Sequence, residues 1–156
     1  MIIHKTLAEA FMADEQGGAH CGCPFCKIGP DRIVAENGLA VALGDGFPVN
    51  PGHTLIVTRR HVTTWFGASR KEQRAIMDLV EQAKAALDGT EQPPDGYNIG
   101  INVGAAAGQT VPHLHVHLIP RFTGDVDDPA GGVRFVIPCR GDYRRPGRIP
   151  VASAAH

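Results

Sequence analysis

Hydrophobic and polar positions follow two different periods along this chain, and the helical period is clearest in its middle. Apolar residues recur every three or four positions between residues 76 and 87, which predicts an amphipathic helix. Ser69 and Glu72 stand just before this stretch in the spacing of a capping box, and Gly89 follows it. We therefore expect one long helix that begins after Ser69, ends near Gly89 and packs one face on a sheet.

Three shorter apolar runs before that helix predict strands. Residues 32–35 and 39–43 are separated by Glu36-Asn37-Gly38, and the Asn-Gly pair is typical of a β-hairpin turn. Residues 53–58 contain a continuous Leu-Ile-Val run and predict a buried strand. The intervening residues 45–52 are rich in Gly, Pro, Asn and Asp and predict a loop.

Period-two alternation after the helix predicts two more strands. Ile99, Ile101 and Val103 alternate with small or polar residues and indicate a half-buried strand. A bend rich in Gly and Ala then leads into residues 111–119, a second strand that we expect Pro120 to end.

The order of these elements predicts the fold class. Most of the five strands follow one another without a helix between them, so we expect an α+β domain: an antiparallel five-stranded sheet with helices on one side. We divide the chain into an N-terminal helical segment over residues 1–20, a main domain over 21–138 and a C-terminal tail over 139–156. Within the main domain, we expect residues 133–137 to be extended.

Composition and charge exclude several classes of protein. The 156 residues are 43% hydrophobic and 20% charged, which is typical of a single globular domain. No run approaches the ~20 apolar residues of a membrane span, and the N-terminus lacks a secretory signal, so we expect a cytoplasmic protein without a membrane partner. The net charge of −1 provides no field to attract nucleic acid, and we expect no nucleic-acid partner.

Three histidines lie two residues apart in the last predicted strand. In an extended strand, His113, His115 and His117 share one face, while the apolar residues between them enter the core. An exposed strand of histidines without a role is the alternative interpretation. Chance would rarely place three of the eight histidines at every second position, so that alternative is the weaker one.

A row of imidazoles can bind either a metal or a phosphate, and the neighbouring residues favour an anion. Residues 96–124 contain no Asp or Glu that could act as a base toward metal-bound water. Hydrogen-bond donors are common there, among them Asn102, Gln109 and Thr110. A neutral imidazole, with an ordinary pKa near ~6.5, is a competent nucleophile toward phosphorus. If the bound group is a phosphoryl, the reaction class is phosphoryl or nucleotidyl transfer through a covalent histidine.

Three of the four cysteines lie within six residues, at positions 21, 23 and 26. In a chain without an export signal, such a cluster binds metal or performs redox chemistry more often than it forms disulfides. The spacing alone does not choose between zinc and redox use.

The segment His113-Leu114-His115-Val116-His117-Leu118-Ile119 resembles the signature of the histidine-triad (HIT) family, in which histidines alternate with apolar residues. The resemblance covers roughly residues 21–138, with further motifs in the family's order. These are Cys23-Pro24-Phe25-Cys26-Lys27-Ile28, Asp45 with Pro48, Pro51-Gly52-His53, Arg60-His61, Asn102 and Gly108-Gln109-Thr110. It implies a HIT-like fold, a nucleotide substrate and a homodimer.

The resemblance also implies roles for individual residues around the phosphate. His115 would attack the α-phosphorus and become a nucleotidyl-histidine. His117 and Gln109 would hold phosphate oxygens, Thr110 would contact the phosphate or the departing group, and Asn102 would support the pocket.

For the nucleoside, the resemblance implies that Asp45 accepts the ribose hydroxyls and that Phe25, Ile28 and Leu43 flank the base. The residues themselves leave other roles open. Asp45 also fits a turn cap, and the three apolar residues also fit the core. For His53 we expect packing or hydrogen bonding near the strand start.

HIT-family members with a Cys-x-x-Cys knuckle bind a structural zinc. The resemblance implies that Cys23, Cys26, His61 and His113 would hold it here. A Cys₂His₂ set closes a tetrahedral site and leaves no open position, so this zinc would not perform the chemistry. The activity implied is cleavage of dinucleoside polyphosphates at the α-phosphorus. A nucleoside phosphoramidase and a zinc-containing nucleotide-binding module with little turnover remain alternatives.

Overall fold

The computed structural model of the chain describes residues 22–142 and Arg144. The helical segment predicted over residues 1–20, Cys21 and most of the predicted tail lie outside the described residues. The chain divides into two compact units, one ending at Phe122 and the other beginning at Thr123.

The first unit is built on an antiparallel sheet of five strands in the order β1-β2-β3-β5-β4. The strands are β1 (Ile33–Glu36), β2 (Ala40–Gly44), β3 (Thr54–Thr58), β4 (Gly96–Gly100) and β5 (His115–Arg121). The predicted α+β fold, with its five-stranded antiparallel sheet, is confirmed.

Helix α1 (Arg70–Asp88) covers one face of this sheet and begins with the predicted capping box. The Ser69 hydroxyl accepts a hydrogen bond from the Glu72 amide at 3.3 Å, and the Ser69 amide donates to Glu72 Oε2 at 2.7 Å. The helix ends at Gly89. None of the described helices combines the length and the hydrophobicity that a membrane span requires.

The sheet separates two apolar clusters. The first cluster lies between α1 and the sheet, and its largest fully buried side chains are Ile56, Ile76, Leu79, Leu114 and Leu118. The second cluster lies on the other face and contains Phe25, Val41, Leu43, Leu55 and Val57. Both faces of the central strands are therefore buried, which agrees with the continuous apolar run of β3.

The β1–β2 hairpin forms where the Asn-Gly pair predicts it. Asn37 Oδ1 accepts hydrogen bonds from the amides of Leu39 and Ala40, and Asn37 Nδ2 donates to the Ala75 carbonyl at 2.8 Å. One side chain thus closes the turn and attaches it to α1.

The prediction for β4 was wrong at its carboxyl end. The strand stops at Gly100, before the alternation ends, because the chain then turns toward a loop that contains Gly104 with φ of 84°. Ile101 still packs against the first cluster, whereas Ile99 remains 47% exposed. β4 forms one edge of the sheet, which explains the exposure of Ile99.

The prediction for β5 was wrong at both ends, because the strand begins at His115 and continues through Pro120 to Arg121. Pairing with β3 ends at Leu118, so beyond that residue β5 is paired with β4 alone. Asn50 Nδ2 donates to the Pro120 carbonyl on the side that β3 no longer occupies. An N–H group at position 120 would face the same side, so the proline removes no hydrogen bond between β4 and β5.

In the second unit, residues 133–137 are not extended as predicted. Gly132–Val136 forms a 3-10 helix, and the short helix α2 (Pro138–Gly141) follows it. Gly131 and Gly132 adopt positive φ angles and start a tight turn, in which the Arg134 amide donates to the Gly131 carbonyl at 2.9 Å. Pro138 then occupies the first turn of α2, where its missing N–H has no cost.

Candidate active site

Strand register places the histidines of β5 on the sheet face opposite α1. His117 is paired with Leu55 and His115 with Val57, both members of the second cluster. Leu114, Val116 and Leu118 point the other way into the first cluster, as the alternation predicts. The candidate site therefore lies on the face that α1 leaves uncovered.

A backbone hydrogen bond fixes the His115 ring. His115 is 7% exposed, and its Nδ1 lies 2.7 Å from the carbonyl oxygen of His113. A carbonyl only accepts, so Nδ1 carries a proton, and in the neutral ring the lone pair is on Nε2. The ring packs against Phe25 and His117, with centroid separations of 5.3 and 5.2 Å. The geometry presents one nucleophilic nitrogen in a nearly buried setting.

His117 has one partnered and one unpartnered ring nitrogen. Its Nδ1 lies 3.0 Å from His53 Nε2. Its Nε2 is buried and has no hydrogen-bond partner among the described residues. Burial, reinforced by the neighbouring His115 and His53, lowers the pKa of His117 to about 4. His117 is therefore neutral at pH 7, and its Nε2 can form a hydrogen bond with a group outside the described residues.

The contact between His53 and His117 is not evident from the sequence, which indicates for His53 only packing or hydrogen bonding near the strand start. Burial lowers the pKa of His53, and the charge of Asp45 partly opposes this effect. The β3–β5 register was the missing signal. It puts Leu55 and Val57 on the face that carries His115 and His117, and His53 precedes Leu55 by two residues.

Asp45 contacts both its own turn and His53. Its Oδ1 accepts a hydrogen bond from the Phe47 amide at 2.8 Å, and its Oδ2 lies 3.3 Å from His53 Nδ1. The carboxylate side chain is 15% exposed. Asp45 thus caps the turn while one oxygen faces the histidine row.

The buried side chain of Gln109 closes the loop before β5. Its Oε1 accepts from the Gly104 amide at 2.9 Å, and its Nε2 donates to the carbonyls of Thr63 and Val111 at 2.7 and 3.1 Å. Gly104 and Gly108, with φ of 84° and 86°, form the corners of this loop. The contacts of Gln109 are therefore made with backbone.

The other predicted phosphate residues lie on the same loop. Thr110 is exposed, and Asn102 is partly buried beside Gly108, where an added Cβ would lie 4.0 Å from Asn102 Nδ2. Among the predicted base contacts, Leu43 is fully buried and Phe25 is 8% exposed. Ile28 is partly buried against the second cluster.

Two cysteines and two histidines converge next to this site. The ligand atoms of Cys23, Cys26, His61 and His113 all lie within 4.8 Å of one another. His113 Nδ1 is 3.4 Å from Cys23 Sγ and 3.6 Å from Cys26 Sγ, and His61 Nδ1 is 3.3 Å from Cys26 Sγ. For bond lengths typical of zinc, the N···S edge of a tetrahedron is ~3.6 Å. The four residues thus fit a tetrahedral cation.

The protonation of His113 supports this fit. Its Nε2 donates to the Thr58 carbonyl at 2.8 Å, which leaves the Nδ1 lone pair directed at the two sulfurs. Burial lowers the pKa of His113 to about 4 and raises the pKa of the Cys23 thiol. The imidazole is therefore ready to coordinate, whereas the thiol must release its proton to a metal. The fourth cysteine, Cys139, is exposed in the second unit.

Comparison with known proteins identifies a HIT domain over residues 28–124 of this chain. The AP-4-A phosphorylase of Mycobacterium tuberculosis is 32% identical over 150 residues, which cover 89% of this chain and 75% of that protein. The adenosine 5′-monophosphoramidase hnt1 of Schizosaccharomyces pombe is 33% identical over 103 residues, covering 64% and 74% of the two chains.

A solved structure shows the same fold. The Zn-bound histidine triad family protein from Mycobacterium smegmatis superimposes with a TM-score of 0.62 at 28% identity, over 74% of this chain and 90% of that one.

Proposed function

Because this chain belongs to the HIT family, we propose that it cleaves nucleotides at the α-phosphorus through a covalent nucleotidyl-His115 intermediate. One observation carries the proposal: the 2.7 Å hydrogen bond from His115 Nδ1 to the His113 carbonyl places the lone pair of the neutral ring on Nε2, where it is available for attack. The proposed substrate class is dinucleoside polyphosphates. The similarity to an AP-4-A phosphorylase over 89% of the chain supports this class.

The proposed reaction has two displacements at phosphorus. In the first, the His115 Nε2 lone pair bonds to the α-phosphorus, and the bridging P–O bond breaks to release the remaining nucleotide. In the second, water bonds to phosphorus and the P–N bond breaks, which returns the electron pair to His115 and releases a nucleoside monophosphate. We assign the proton lost by water to the ring of His117, the imidazole that packs beside His115.

The residues around the two histidines have proposed supporting roles. Thr110 and Asn102 would contact phosphate oxygens directly, whereas the backbone contacts of Gln109 support a role in holding the phosphate loop. Asp45 would accept the ribose hydroxyls through its partly exposed carboxylate. Ile28 and Phe25 would form the wall against the base, with Leu43 packed beneath them.

We further propose a structural zinc on Cys23, Cys26, His61 and His113, since the four ligand atoms have the spacing of a closed tetrahedral site. When bound, the metal would attach the Cys23–Cys26 knuckle to the start of β5. Elemental analysis should find one zinc per chain, and Cys26→Ser should lower both this content and the melting temperature. A metal-free native protein with unchanged stability would contradict the assignment.

We also propose that the chain forms a homodimer. The outer edge of β4 supports it, because that edge ends the sheet and carries the exposed Ile99. Light scattering of the purified protein tests the proposal, and a monomer at micromolar concentration would refute it.

Incubation with diadenosine tetraphosphate tests the proposed activity. Wild-type protein should release ATP together with AMP. Added inorganic phosphate would divert the second product to ADP if phosphate replaces water as the acceptor. His115→Asn should abolish turnover while nucleotide affinity is retained, because only the covalent step needs the nitrogen. Turnover by this variant at the wild-type rate would refute the nucleophile assignment.

A nucleoside phosphoramidase is the second candidate function, favoured by the similarity to the adenosine 5′-monophosphoramidase. The same attack on phosphorus then expels an amine instead of a phosphate. Relative kcat/KM values for diadenosine tetraphosphate and adenosine 5′-phosphoramidate rank the two candidates. Adenylate binding without release of product from either compound would instead favour a nucleotide-binding module.

A further inference from the structure

A continuous row of aromatic rings joins the proposed metal site to the candidate active site. Neighbouring rings in this row have centroid separations between 4.8 and 5.9 Å. In order, the rings belong to His61, His113, Phe25, His115, His117 and His53. Phe25 is the one member of the row without a ring nitrogen, and it stands between the metal-site rings and the active-site rings.

His113 and His115 are close enough along the chain to bind the same metal ion. Side chains two residues apart in an extended chain lie ~6.6 Å apart on one face, which allows two imidazoles to reach one cation. His113 Nδ1 already faces the sulfurs of Cys23 and Cys26 at 3.4 and 3.6 Å. His115 Nδ1 donates one 2.7 Å hydrogen bond to the His113 carbonyl. A hydrogen bond between neutral groups is weak beside a metal–nitrogen bond, so this contact alone would not keep His115 from the metal.

The phenyl ring of Phe25 packs against both imidazoles. Its centroid lies 5.9 Å from that of His113, in an edge-to-face contact, and 5.3 Å from that of His115. Phe25 is 8% exposed and belongs to the second apolar cluster, whose close packing restricts its movement. A phenyl group has no lone pair, so it can neither coordinate a cation nor pass a proton between the two rings.

The two cysteines hold Phe25 in this position. Phe25 lies inside the knuckle turn, in which the Cys26 amide donates to the Cys23 carbonyl at 3.2 Å. Both sulfurs approach His113 Nδ1, and Cys26 Sγ also lies 3.3 Å from His61 Nδ1. The residues that form the ligand set therefore also place the phenyl ring beside His115.

We propose that Phe25 is a positioning residue that keeps the His115 ring out of the metal-ligand cluster and so leaves its Nε2 available for attack on phosphorus. This role is additional to the proposed contact between Phe25 and the base. The effect on turnover rests on the proposed function, whereas the separation of the rings rests only on the proposed metal site.

An open ligand position makes this separation measurable. His61→Ala removes one of the four proposed ligands, and with Phe25 in place water should fill the open position. When Phe25→Ala is combined with His61→Ala, the space of the phenyl ring becomes free. His115 should then supply the missing nitrogen in this double variant.

Cadmium-113 NMR of nitrogen-15-labelled protein tests the proposal, because each imidazole nitrogen bound to cadmium couples to it. In wild-type protein, the cadmium should couple to His61 and His113. In His61→Ala, it should couple to His113 alone. The double variant should couple to His115 as well, and adding His115→Asn should remove that coupling.

Val41→Ala combined with His61→Ala is the matched control. Val41 is a 3% exposed member of the same apolar cluster, and β3 separates its strand from that of His115. This control should show no coupling to His115. Coupling to His115 in wild-type protein or in His61→Ala would overturn the proposal, as would its absence in the double variant. Wild-type protein that binds no cadmium would overturn it too.

A second variant keeps an apolar side chain in the cluster. Phe25→Val retains part of the packing and shortens the side chain, so combined with His61→Ala it should also allow cadmium to couple to His115. No coupling in this variant would overturn the proposal even if Phe25→Ala failed to fold.

Kinetics separate this role from contact with the base. Loss of a base contact raises KM, whereas coordination of His115 removes the nucleophile and lowers kcat. The zinc-loaded double variant should therefore lose turnover and regain part of it when a chelator removes the metal. His61→Ala alone should not be activated by the chelator. A double variant with the kcat of His61→Ala would contradict the proposal, whereas absence of turnover in wild-type protein would refute the proposed function and leave the cadmium result standing.

Discussion

Replacing Glu72 with Gln removes one negative charge at the start of α1 while the side chain keeps its size. Glu72 is 5% exposed, and Arg60 donates to its two oxygens at 2.9 and 2.8 Å. These hydrogen bonds, opposed by burial, lower the pKa of Glu72 from its ordinary value of 4.5 to about 2. The charge therefore stabilises the folded protein, and the variant should be less stable at neutral pH.

The size of the effect follows from the pKa difference between the unfolded and folded protein. A difference of about 2.5 corresponds to about 3.4 kcal/mol in the free energy of unfolding. Arg60 is 42% exposed, and solvent screening lowers the expected loss to about 2 kcal/mol. Because Arg60 precedes the proposed zinc ligand His61, the variant should also release zinc to a chelator faster.

The pH dependence has a defined sign. A lowered pKa means that the stabilisation is complete above pH 4.5 and is lost as the pH falls toward about 2. The difference in stability between wild type and Glu72→Gln should therefore shrink by up to about 1.4 kcal/mol per pH unit below pH 4.5. Taking the difference cancels the effects of acid on the histidines, which both proteins share.

Urea unfolding at pH 7 and at steps down to pH 3.5 measures both quantities. Glu36→Gln is the matched control, because its partner Arg59 and Glu36 itself are 44% and 52% exposed. That exposed pair should contribute less than about 0.5 kcal/mol. Equal losses of stability in the two variants would contradict the prediction, as would an effect of Glu72→Gln that is the same at pH 3.5 as at pH 7.

Two further substitutions test how side chains hold the backbone. Gln109→Leu removes three hydrogen bonds to backbone, so protection of the Gly104 amide from hydrogen exchange should fall and kcat should drop at least tenfold. Wild-type exchange and activity would show that the loop does not need Gln109. Asn37→Ala leaves the β1–β2 turn without its acceptor, so thermal unfolding should show a free energy of unfolding lower by about 1–3 kcal/mol, with kcat unchanged. A lowered kcat would instead link this turn to the active site.

Much of the fold could be predicted because local signals agree with tertiary packing. The capping box at Ser69 and the Asn-Gly pair at Asn37 mark the same boundaries in sequence and structure. Pro120 misled the prediction, since its effect depends on whether a neighbouring strand is present beside it. Residues 133–137 have the side chains of a strand, but the preceding glycines start a turn. At Pro120 and over residues 133–137, the structure therefore depends on neighbouring parts of the fold and not on the local pattern alone.

The candidate site, like the fold, could be predicted from the sequence only in part. The period of two placed His115 and His117 on one face, and the family resemblance brought Cys23 and His61 together in one ligand set, which the geometry accommodates. The contact between His53 and His117 could not be predicted, because it depends on the register between β3 and β5. The spacing of residues predicts the face of a strand on which a side chain lies. It does not predict which residues of the neighbouring strand lie beside that side chain.

The stereochemical course at the α-phosphorus tests the nucleotidyl-His115 mechanism most directly. A substrate with a chiral phosphorothioate at that phosphorus, cleaved in oxygen-18 water, reports the number of displacements. Attack by His115 followed by attack of water inverts the configuration at phosphorus twice, so we predict overall retention. Inversion of configuration would mean that water attacks the substrate directly, and it would contradict the covalent role of His115.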